Sequence, residues 1–182
     1  MKTRILLAAA VLSLGLSIAS AESLAPAVQT KVDEQIKVVA GWAADPIIVD
    51  AVRSHNAAVP ADQSALTQEK WKTLTVLDPL VRSFAKNPVG QFLKSKKSDI
   101  VTEAFVSDAA GLKVGFVAKT SNWSHKGKPK HDVPMTGKTW QGAVEVDESS
   151  GQQQLQVAVP VLDGDKAIGS LVVGLSVTKL SS

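Results

Sequence analysis

The sequence predicts an α+β fold, with helices in its N-terminal half and an antiparallel sheet in its C-terminal half. Between residues 22 and 98, apolar residues recur at three- and four-residue steps, which is typical of amphipathic helices. After Ser98 the pattern changes to β-branched and aromatic residues in short segments, as in strands. Asp163-Gly164 separates two such segments and predicts a tight hairpin, which pairs its strands antiparallel. Helices followed by strands are the arrangement of α+β domains.

Residues 1–21 have the features of a secretory signal peptide. Lys2 and Arg4 precede an uncharged, largely apolar run, and Ala19-Ser20-Ala21 places small residues where a signal peptidase cleaves. The run is short for a membrane span, which needs about 20 apolar residues, although an uncleaved anchor is the alternative. We therefore expect cleavage after residue 21 and a soluble periplasmic or secreted product, residues 22–182, that forms a single domain.

The charge and the cysteine count exclude several kinds of partner and site. The formal net charge of +3 includes Lys2 and Arg4, and residues 1–21 contain no acid, so the remaining chain carries about +1. A net charge this small gives no support for nucleic-acid binding. The chain contains no cysteine, which excludes disulfide bonds and cysteine-ligated metal sites. Stability must therefore come from an apolar core.

The N-terminal third predicts a long amphipathic helical rod from Glu22 to Asn56. Its apolar stripe consists of residues three and four positions apart: Val28, Val32, Ile36, Val39 and Ala43. Asp45-Pro46 interrupts the rod. Because Asp is a good N-cap and Pro suits the first helical turn, either the helix kinks there or a second helix begins. Two shorter helices follow, one over about residues 66–77 and one that begins at Asn87-Pro88.

Five segments of strand character follow Ser98. They read DIVTEAFVSD, LKVGFVAKT, QGAVEVDE, QQQLQVAVPVL and KAIGSLVVGLSV. A long crossover, Lys119–Lys138, connects the second segment to the third and contains five lysines and two histidines but only one acid. Such an excess of positive charge near a pocket would concentrate anions there. At the last turn, Gly164 should adopt a positive φ.

Three stretches of the chain resemble the single Cache, or PDC-type, extracellular sensor domain. WAADPIIVDAVRSHNA resembles the long-helix segment, FVSDAAGLKVGFVAKTSNW the first hairpin with the start of the ligand loop, and QVAVPVLDGDKAIGSLVVGLSV the closing hairpin. The resemblance extends over nearly all of residues 22–182. It implies a PAS-like five-stranded antiparallel sheet with a long N-terminal helix and short helices packed on it.

Two departures from the family pattern bear on function. The family often has an acidic residue and then an aromatic residue where this chain has Asn122 and Trp123, and HKGKPKHD replaces a stretch that is commonly acidic. Family members are usually parts of membrane receptors in which a transmembrane helix follows the last strand, whereas here four residues follow Thr178. The resemblance therefore implies a solitary exported sensor module that signals through a separate protein, with a membrane receptor as the candidate partner.

In the family, the crossover covers a pocket on the concave face of the sheet, which implies six candidate ligand-binding residues. They are Lys119, Thr120, Asn122, Trp123, Trp140 and Gln154. Lys119 and Thr120 could present an ammonium and a hydroxyl to a carboxylate. Trp123 suits either a wall or lid of the pocket or a plug at the edge of the core. Gln154 shares a strand face with Gln156, and that face either meets solvent or enters the pocket.

The sequence predicts neither an enzyme nor a cofactor or metal site. No G-x-S-x-G elbow, H-E-x-x-H, P-loop or G-x-G-x-x-G is present. His125, His131 and Asp132 lie among lysines that repel a cation, and a metal site needs three or four ligands. Asp163-Gly164-Asp165 lacks the downstream carboxylate of a calcium loop and is better explained as a turn.

Two functions remain open. The first is a sensor module that binds a small molecule, such as a carboxylate, beneath the crossover. The second is an interaction protein that binds no ligand and pairs, with itself or with a receptor, through the long N-terminal helix. A cavity of about 300 Å³ or more beneath Trp123 favours the first function. Filling of that space by Trp123, Trp140 and Phe116 favours the second.

Overall fold

The longer helices precede residue 98 and the strands follow it, as the sequence predicts. The computed structural model describes residues 24–146 and 152–182, so the predicted signal peptide, residues 1–21, lies outside the described part of the chain. The α-helices of that part are Pro26–Ala43 (α1), Pro46–Ala57 (α2), Gln68–Thr73 (α3), Pro79–Lys86 (α4), Pro88–Ser95 (α5), Pro129–Asp132 (α6) and Val177–Leu180 (α7). Its strands are Val101–Asp108 (β1), Lys113–Phe116 (β2), Trp140–Gln141 (β3), Glu145–Val146 (β4), Gln153–Asp163 (β5) and Lys166–Ser176 (β6). Within these ranges, no helix has the length and apolar character that a membrane crossing requires.

The N-terminal rod consists of two helices. Asp45 caps α2 by accepting a hydrogen bond from the amide of Ile47 at 2.9 Å, and Pro46 occupies the first helical position. Of the two arrangements that the sequence allows at Asp45-Pro46, the chain therefore adopts a new helix. The physical reason is that the proline has no amide hydrogen with which to continue the hydrogen bonds of α1.

Both of these helices pack against one face of the sheet. Val32, Val39 and Ala43 of the predicted stripe are buried, and Ile48 and Val52 of α2 are buried as well. Every second residue of β5 contributes to this core: Leu155, Val157, Val159 and Val161. The alternation of β5 therefore assigns its apolar face to the helices and its other face to the opposite side of the sheet.

The middle of the chain contains three short helices where the sequence predicts two. The helix predicted over residues 66–77 is shortened to α3, because Leu74 adopts an extended backbone with φ −71° and ψ 138°. The sequence pattern does not reveal α4, which begins at Pro79 and spans only eight residues, about two turns of periodicity. α5 begins as predicted, with Asn87 accepting a hydrogen bond from the amide of Gly90 at 2.8 Å.

The strands form an antiparallel sheet in the order β2–β1–β6–β5–β3, and β4 also pairs with β5. The predicted third strand is divided into β3 and β4, which pair with different parts of β5, so the five predicted strands become six. β2 ends earlier than predicted, at Phe116, although Val117 still donates to the carbonyl of Ala104 at 2.9 Å. Lys119 and Thr120 therefore lie beyond the strand.

The hairpin predicted at Asp163-Gly164 is confirmed. Gly164 has φ 60°, and Asp163 pairs with Lys166 across the turn. The hairpin joins β5 and β6, which have eleven residues each and form the centre of the sheet together with β1. The guanidinium of Arg53 in α2 donates to both carboxylate oxygens of Asp163 at 2.9 Å and so ties the turn to the helices.

Replacing Gly164 with valine should lower the free energy of unfolding by about 1 kcal/mol or more. A Cβ at this position meets nothing within 4 Å, so the cost comes from holding a β-branched residue at positive φ and not from a clash. Gly41→Ala is the matched control, because a Cβ there also meets nothing within 4 Å but the backbone is that of α1, where alanine is favoured. Urea unfolding would measure both variants. An unchanged stability of Gly164→Val would contradict the prediction.

The second face of the sheet is covered as well, by α3, α4 and the segment between β2 and β3. Its core is an aromatic cluster, which consists of Trp71, Phe84, Phe105, Phe116 and Trp123. Phe84 stacks on Phe116 with ring centroids 5.3 Å apart, and Trp71 meets Phe84 edge-on at 5.9 Å. Because the crossover covers the middle of this second face, polar side chains there, such as those of Ser107 and Lys113, are removed from water.

Candidate ligand-binding site

The crossover lies over the second face of the sheet, where the resemblance implies that Lys119–Lys138 covers a pocket. Its second half contains α6 and a 3₁₀ helix, Pro134–Thr136, both of which contact β6. The crossover brings three side chains against the strands: His125, Lys130 and His131. The crossover therefore covers the side chains that lie between it and the sheet.

Beneath the crossover lies a group of buried polar side chains, which we call the polar cluster: Lys113, Ser107, His125, His131 and Ser170. At its centre is Lys113 of β2, which is fully buried. Its Nζ donates to Oγ of Ser107 on β1 at 3.2 Å, contacts Nδ1 of His125 and lies 4.1 Å from the ring centroid of Phe105. His125 stacks on the same phenyl ring with centroids 4.7 Å apart.

Burial determines the charge of the polar cluster. Desolvation, reinforced by the positive charge of Lys130, holds the pKa of Lys113 well below its usual 10.5. Desolvation and then the nearby Lys113 lower the pKa of His125 from 6.5 to about 3, so this ring is neutral near pH 7. A neutral imidazole can accept a hydrogen bond at Nδ1 from the amino group of Lys113.

The other part of the polar cluster joins the crossover to β6. Nδ1 of His131 and Oγ of Ser170 are hydrogen-bonded at 2.8 Å, and both side chains are buried. Burial lowers the pKa of His131, which favours its neutral ring. At the border, Nζ of the half-buried Lys130 donates to Oε1 of Gln156 at 2.6 Å, and the amide of Gln156 donates to Glu103.

Lys113 is the residue that marks the polar cluster as a candidate binding site. Among the residues that the structure describes, its hydrogen-bond partners Ser107 and His125 are uncharged, and no carboxylate forms an ion pair with it. Asp108 and Glu103 attract it only at longer range. An unpaired buried charge costs several kcal/mol, so such a lysine favours the neutral form until an anion arrives. The arrangement therefore suits an acid, which would restore the ammonium and accept a charge-assisted hydrogen bond.

Four of the six residues predicted from the sequence lie near Trp71, at the start of the crossover: Lys119, Thr120, Asn122 and Trp123. Nζ of Lys119 is 4.7 Å from the ring centroid of Trp71, whose indole N–H donates to the carbonyl of Thr120 at 2.7 Å. The hydroxyl of Thr120 donates to the carbonyl of Asn122 at 2.8 Å. These contacts join the crossover to α3 and are separate from the polar cluster.

Trp123 closes the edge of the core. It is 4% exposed, and its ring centroid lies 5.3 Å from that of Trp71 and 5.7 Å from that of Phe84. Its amide donates to Oε1 of Gln68 at 2.9 Å, which fixes the backbone as well. Side chains of the aromatic cluster, including Phe116, thus fill the space beneath Trp123 where the sequence predicts a pocket.

Trp140 and Gln154, the remaining predicted residues, lie together near the β3 edge of the sheet. With Gln156 they line a cavity of about 30 Å³, which has room for little more than one water molecule. Trp140 also packs against the aromatic cluster, and Gln154 accepts a hydrogen bond from the hydroxyl of Thr102 at 3.3 Å. The six predicted residues therefore occupy two places and not one.

The sequence pattern does not predict Lys113, Ser107 or Ser170 as site residues. The sequence contains one indication of Lys113: it is a charged residue inside the apolar segment LKVGF. In a strand its side chain points to the face opposite to those of its neighbours Leu112 and Val114. From the sequence, His125 and His131 suggest only part of a metal site, whereas in the structure they are neutral hydrogen-bonding rings. In residues 24–146 and 152–182, no group of three or more metal-binding side chains converges.

The chain has the fold of single Cache, or PDC-type, sensor domains: an antiparallel PAS-like sheet with α1 and α2 on one face and α3, α4 and the crossover on the other. The chain is similar to the sensor domain of the V. cholerae histidine kinase DctB, with 15% sequence identity and a TM-score of 0.50. The match covers 84% of this chain and 52% of that one, so this chain spans about half the length of the DctB domain. At this identity the similarity establishes the fold alone.

Two further solved structures show similarity over the same length. The sensor domain of E. coli DcuS has 15% identity and a TM-score of 0.45, covering 85% of this chain and 95% of that one. The ligand-binding domain of the Pseudomonas fluorescens chemoreceptor CtaA, in complex with L-leucine, has 14% identity and a TM-score of 0.47, covering 85% and 53%. No protein-family model matches the chain, and no match was found among the curated proteins.

Proposed function

We propose that this protein is an exported, solitary Cache-type sensor module that binds a small acid beneath the crossover and signals through a separate protein. The observation that carries the proposal is the fully buried Lys113, whose partners Ser107 and His125 are uncharged. The fold supports a sensor role, since the similar DctB domain is the sensor domain of a histidine kinase.

A carboxylate is the ligand class that suits the polar cluster best. It supplies the counter-charge that Lys113 lacks, and the hydroxyls of Ser107 and Ser170 can donate to its oxygens. Lys130, half-buried at the border, adds a second positive charge. Because side chains already occupy most of this space, the ligand should be small.

Binding requires the crossover to move, because its side chains separate the polar cluster from solvent. His125 and His131 are 3% and 1% exposed, and both belong to the crossover. An acid that pairs with Lys113 competes with the contact between Lys113 and His125, so the crossover shifts relative to the sheet. A ligand that binds one position of the crossover better than another changes their populations, and a partner protein can read that change.

Export is supported by the sequence, and a separate signalling partner is what the family resemblance implies. Residues 1–21 have the charge pattern and the small-residue end of a signal peptide, which would deliver residues 22–182 to the periplasm or the exterior. In that compartment the candidate partners are a small molecule and a membrane receptor. Nucleic acid is not expected there.

The second candidate function, an interaction protein without a ligand, is favoured by one observation. The aromatic cluster fills the space beneath Trp123. However, α1 offers little apolar surface for pairing, since Val38 is its exposed large hydrophobic residue and Lys31, Glu34 and Lys37 surround it with charge. A stable helix pair needs a continuous apolar stripe, so ligand binding is the better supported function.

A thermal-shift screen of small carboxylates, each compared with its uncharged amide, tests the proposed function. At least one acid should raise the melting temperature, because a ligand at 100 times its dissociation constant adds about 2.7 kcal/mol to the stability. The amide should have a much smaller effect because it brings no counter-charge to Lys113.

Lys113→Met is the decisive variant in this screen. Methionine has a similar length and no charge, so the unliganded fold should be retained while acid binding weakens by about tenfold or more, the loss expected for a charged hydrogen bond. Lys128→Met, at an exposed lysine of the same crossover, is the matched control and should bind within about twofold of the wild type. An acid that stabilises Lys113→Met as strongly as the wild type would place the ligand elsewhere. Absence of any acid effect, together with self-association, would favour the interaction function.

A further inference from the structure

A groove of about 440 Å³ lies between α4, α5 and the segment that follows β2. Its floor is apolar and includes Val81, Ala85 and Phe116. Its rim carries five cations: Arg82, Lys86, Lys94, Lys97 and Lys119. No acidic side chain lines it. We call this feature the basic groove.

The cations of the basic groove come from three parts of the chain that the fold brings together. Arg82 and Lys86 lie one turn apart on α4, so they share a helix face. Lys94 lies in the last turn of α5, Lys97 lies two residues beyond its end, and Lys119 lies in the crossover. The packing of Phe84 on Phe116 and the hydrogen bond from Asn87 to the carbonyl of Val114, at 2.8 Å, hold the helices against β2.

These five charges have no opposite charges to balance them. Within the part of the chain that the structure describes, none of the five forms an ion pair, and Lys119 contacts the ring of Trp71. Arg82, Lys86, Lys94 and Lys97 are exposed, so each costs little in desolvation but adds to a positive potential over one concave surface. An anion that enters the groove is attracted by all of them.

We propose that the basic groove is a second binding site, for an organic anion whose apolar chain or ring lies on the floor and whose acidic group meets the rim. Its volume falls within the roughly 300–1,000 Å³ of small-molecule sites, and a mostly apolar lining with a few charged groups is their usual composition. An inorganic anion would use the rim alone. This proposal does not depend on the polar cluster, because neither Lys113 nor His125 lines the groove.

An anionic membrane surface is the competing partner for this part of the molecule. Val76 and Leu77 are 64% and 75% exposed, and Val76 lines the groove. However, the cations surround a concavity, which encloses one molecule, whereas a membrane is met by a protruding apolar face with charges around it. The concave shape therefore favours a single amphipathic anion.

Isothermal titration calorimetry with decanoate tests the proposal, because decanoate combines a ten-carbon chain with one carboxylate. Decanol supplies the chain alone and acetate the acidic group alone; acetate is titrated into Lys113→Met, so that the proposed site for small acids does not contribute. Decanoate should bind the wild type at one site with a dissociation constant at least about tenfold lower than that of either control, since floor and rim act together. The Lys113→Met variant should bind decanoate like the wild type, which separates this site from the proposed sensor site.

A pair of double variants with the same change of charge locates the site. Lys86→Glu/Lys97→Glu should raise the dissociation constant of decanoate at least about tenfold, whereas Lys126→Glu/Lys128→Glu, on exposed crossover lysines outside the groove, should raise it less than about threefold. Equal losses in both double variants would show a diffuse effect of net charge and overturn the proposal. So would decanol binding as tightly as decanoate, or binding to anionic phospholipid vesicles without any binding of decanoate.

Discussion

Acidification from pH 6.5 to about pH 4 should cost the folded protein roughly 2–3 kcal/mol through His125 alone. Burial, and then the charge of Lys113, lowers the pKa of His125 from 6.5 to about 3 on folding. Between these two values the unfolded chain binds the extra proton, so the free energy of unfolding rises with pH across the window. The free energy of unfolding is therefore highest above pH 6.5, where the ring is neutral in both states, and it falls as the pH approaches 3.

Urea unfolding at several pH values between 6.5 and 4 would measure this effect. His125→Gln retains a hydrogen-bond acceptor for Lys113 but does not titrate, so its stability should fall less steeply than that of the wild type. His55→Gln is the matched control. Burial lowers the pKa of His55, but hydrogen bonds with Asp108 and Gln63, at 2.8 and 2.9 Å, outweigh it and raise the pKa overall. The stabilisation by protonated His55 is thus fully present below pH 6.5. The stability of His55→Gln should therefore fall with decreasing pH as steeply as that of the wild type. Equal slopes for His125→Gln and the wild type would contradict a neutral, buried His125.

The same charges connect the acid stability to the proposed ligand. The titratable groups that act on His125 are all basic: Lys113, Lys130, His131 and Lys128. A bound carboxylate would offset this repulsion and raise the pKa of both Lys113 and His125. Acid binding should therefore be accompanied by proton uptake. The basic residues whose burial costs free energy in the absence of a ligand are the residues that a bound carboxylate would stabilise.

Much of the fold follows from local patterns in the sequence. The hairpin at Asp163-Gly164, the cap at Asn87 and the stripe through Val32 and Val39 each depend on residues close to one another in the chain, and the structure confirms all three. The resemblance to Cache-type domains is confirmed as a similarity of fold. These features were predictable because turn chemistry, capping and periodicity act over a few residues.

The features that were not predicted depend on contacts between distant parts of the chain. α4 is too short to show a clear helical periodicity in its sequence. It is held in place by the packing of Phe84 on Phe116. The burial of Lys113 follows from the crossover bringing His125 over β2, twelve residues away in sequence. A lysine inside a strand has the same local pattern whether its face is open or covered. Only the tertiary structure distinguishes the two cases.

Trp123→Ala should lower the free energy of unfolding by about 3–5 kcal/mol, the range for removing a large aromatic side chain from a core. The side chain is 4% exposed and packs on Trp71 and Phe84, so its loss leaves a cavity in the aromatic cluster. Urea unfolding at pH 7 would give the change in stability. Trp140→Ala is the matched control, because Trp140 is half-buried at the edge strand β3 and should cost clearly less.

The comparison of these two variants separates a core tryptophan from a lid. A lid over an open pocket would be removed at a cost below about 1 kcal/mol, since little packing would be lost and water could fill the space. A loss at Trp123 several times that at Trp140 would instead show that the aromatic cluster is a structural core shared by the two candidate sites. Phe105 of this cluster contacts Lys113 and His125, and Phe116 lines the basic groove. A weakening of ligand binding in Trp123→Ala would then reflect a loosened wall between the sites, and direct ligand contact would have to be tested at Lys113 and on the rim of the groove.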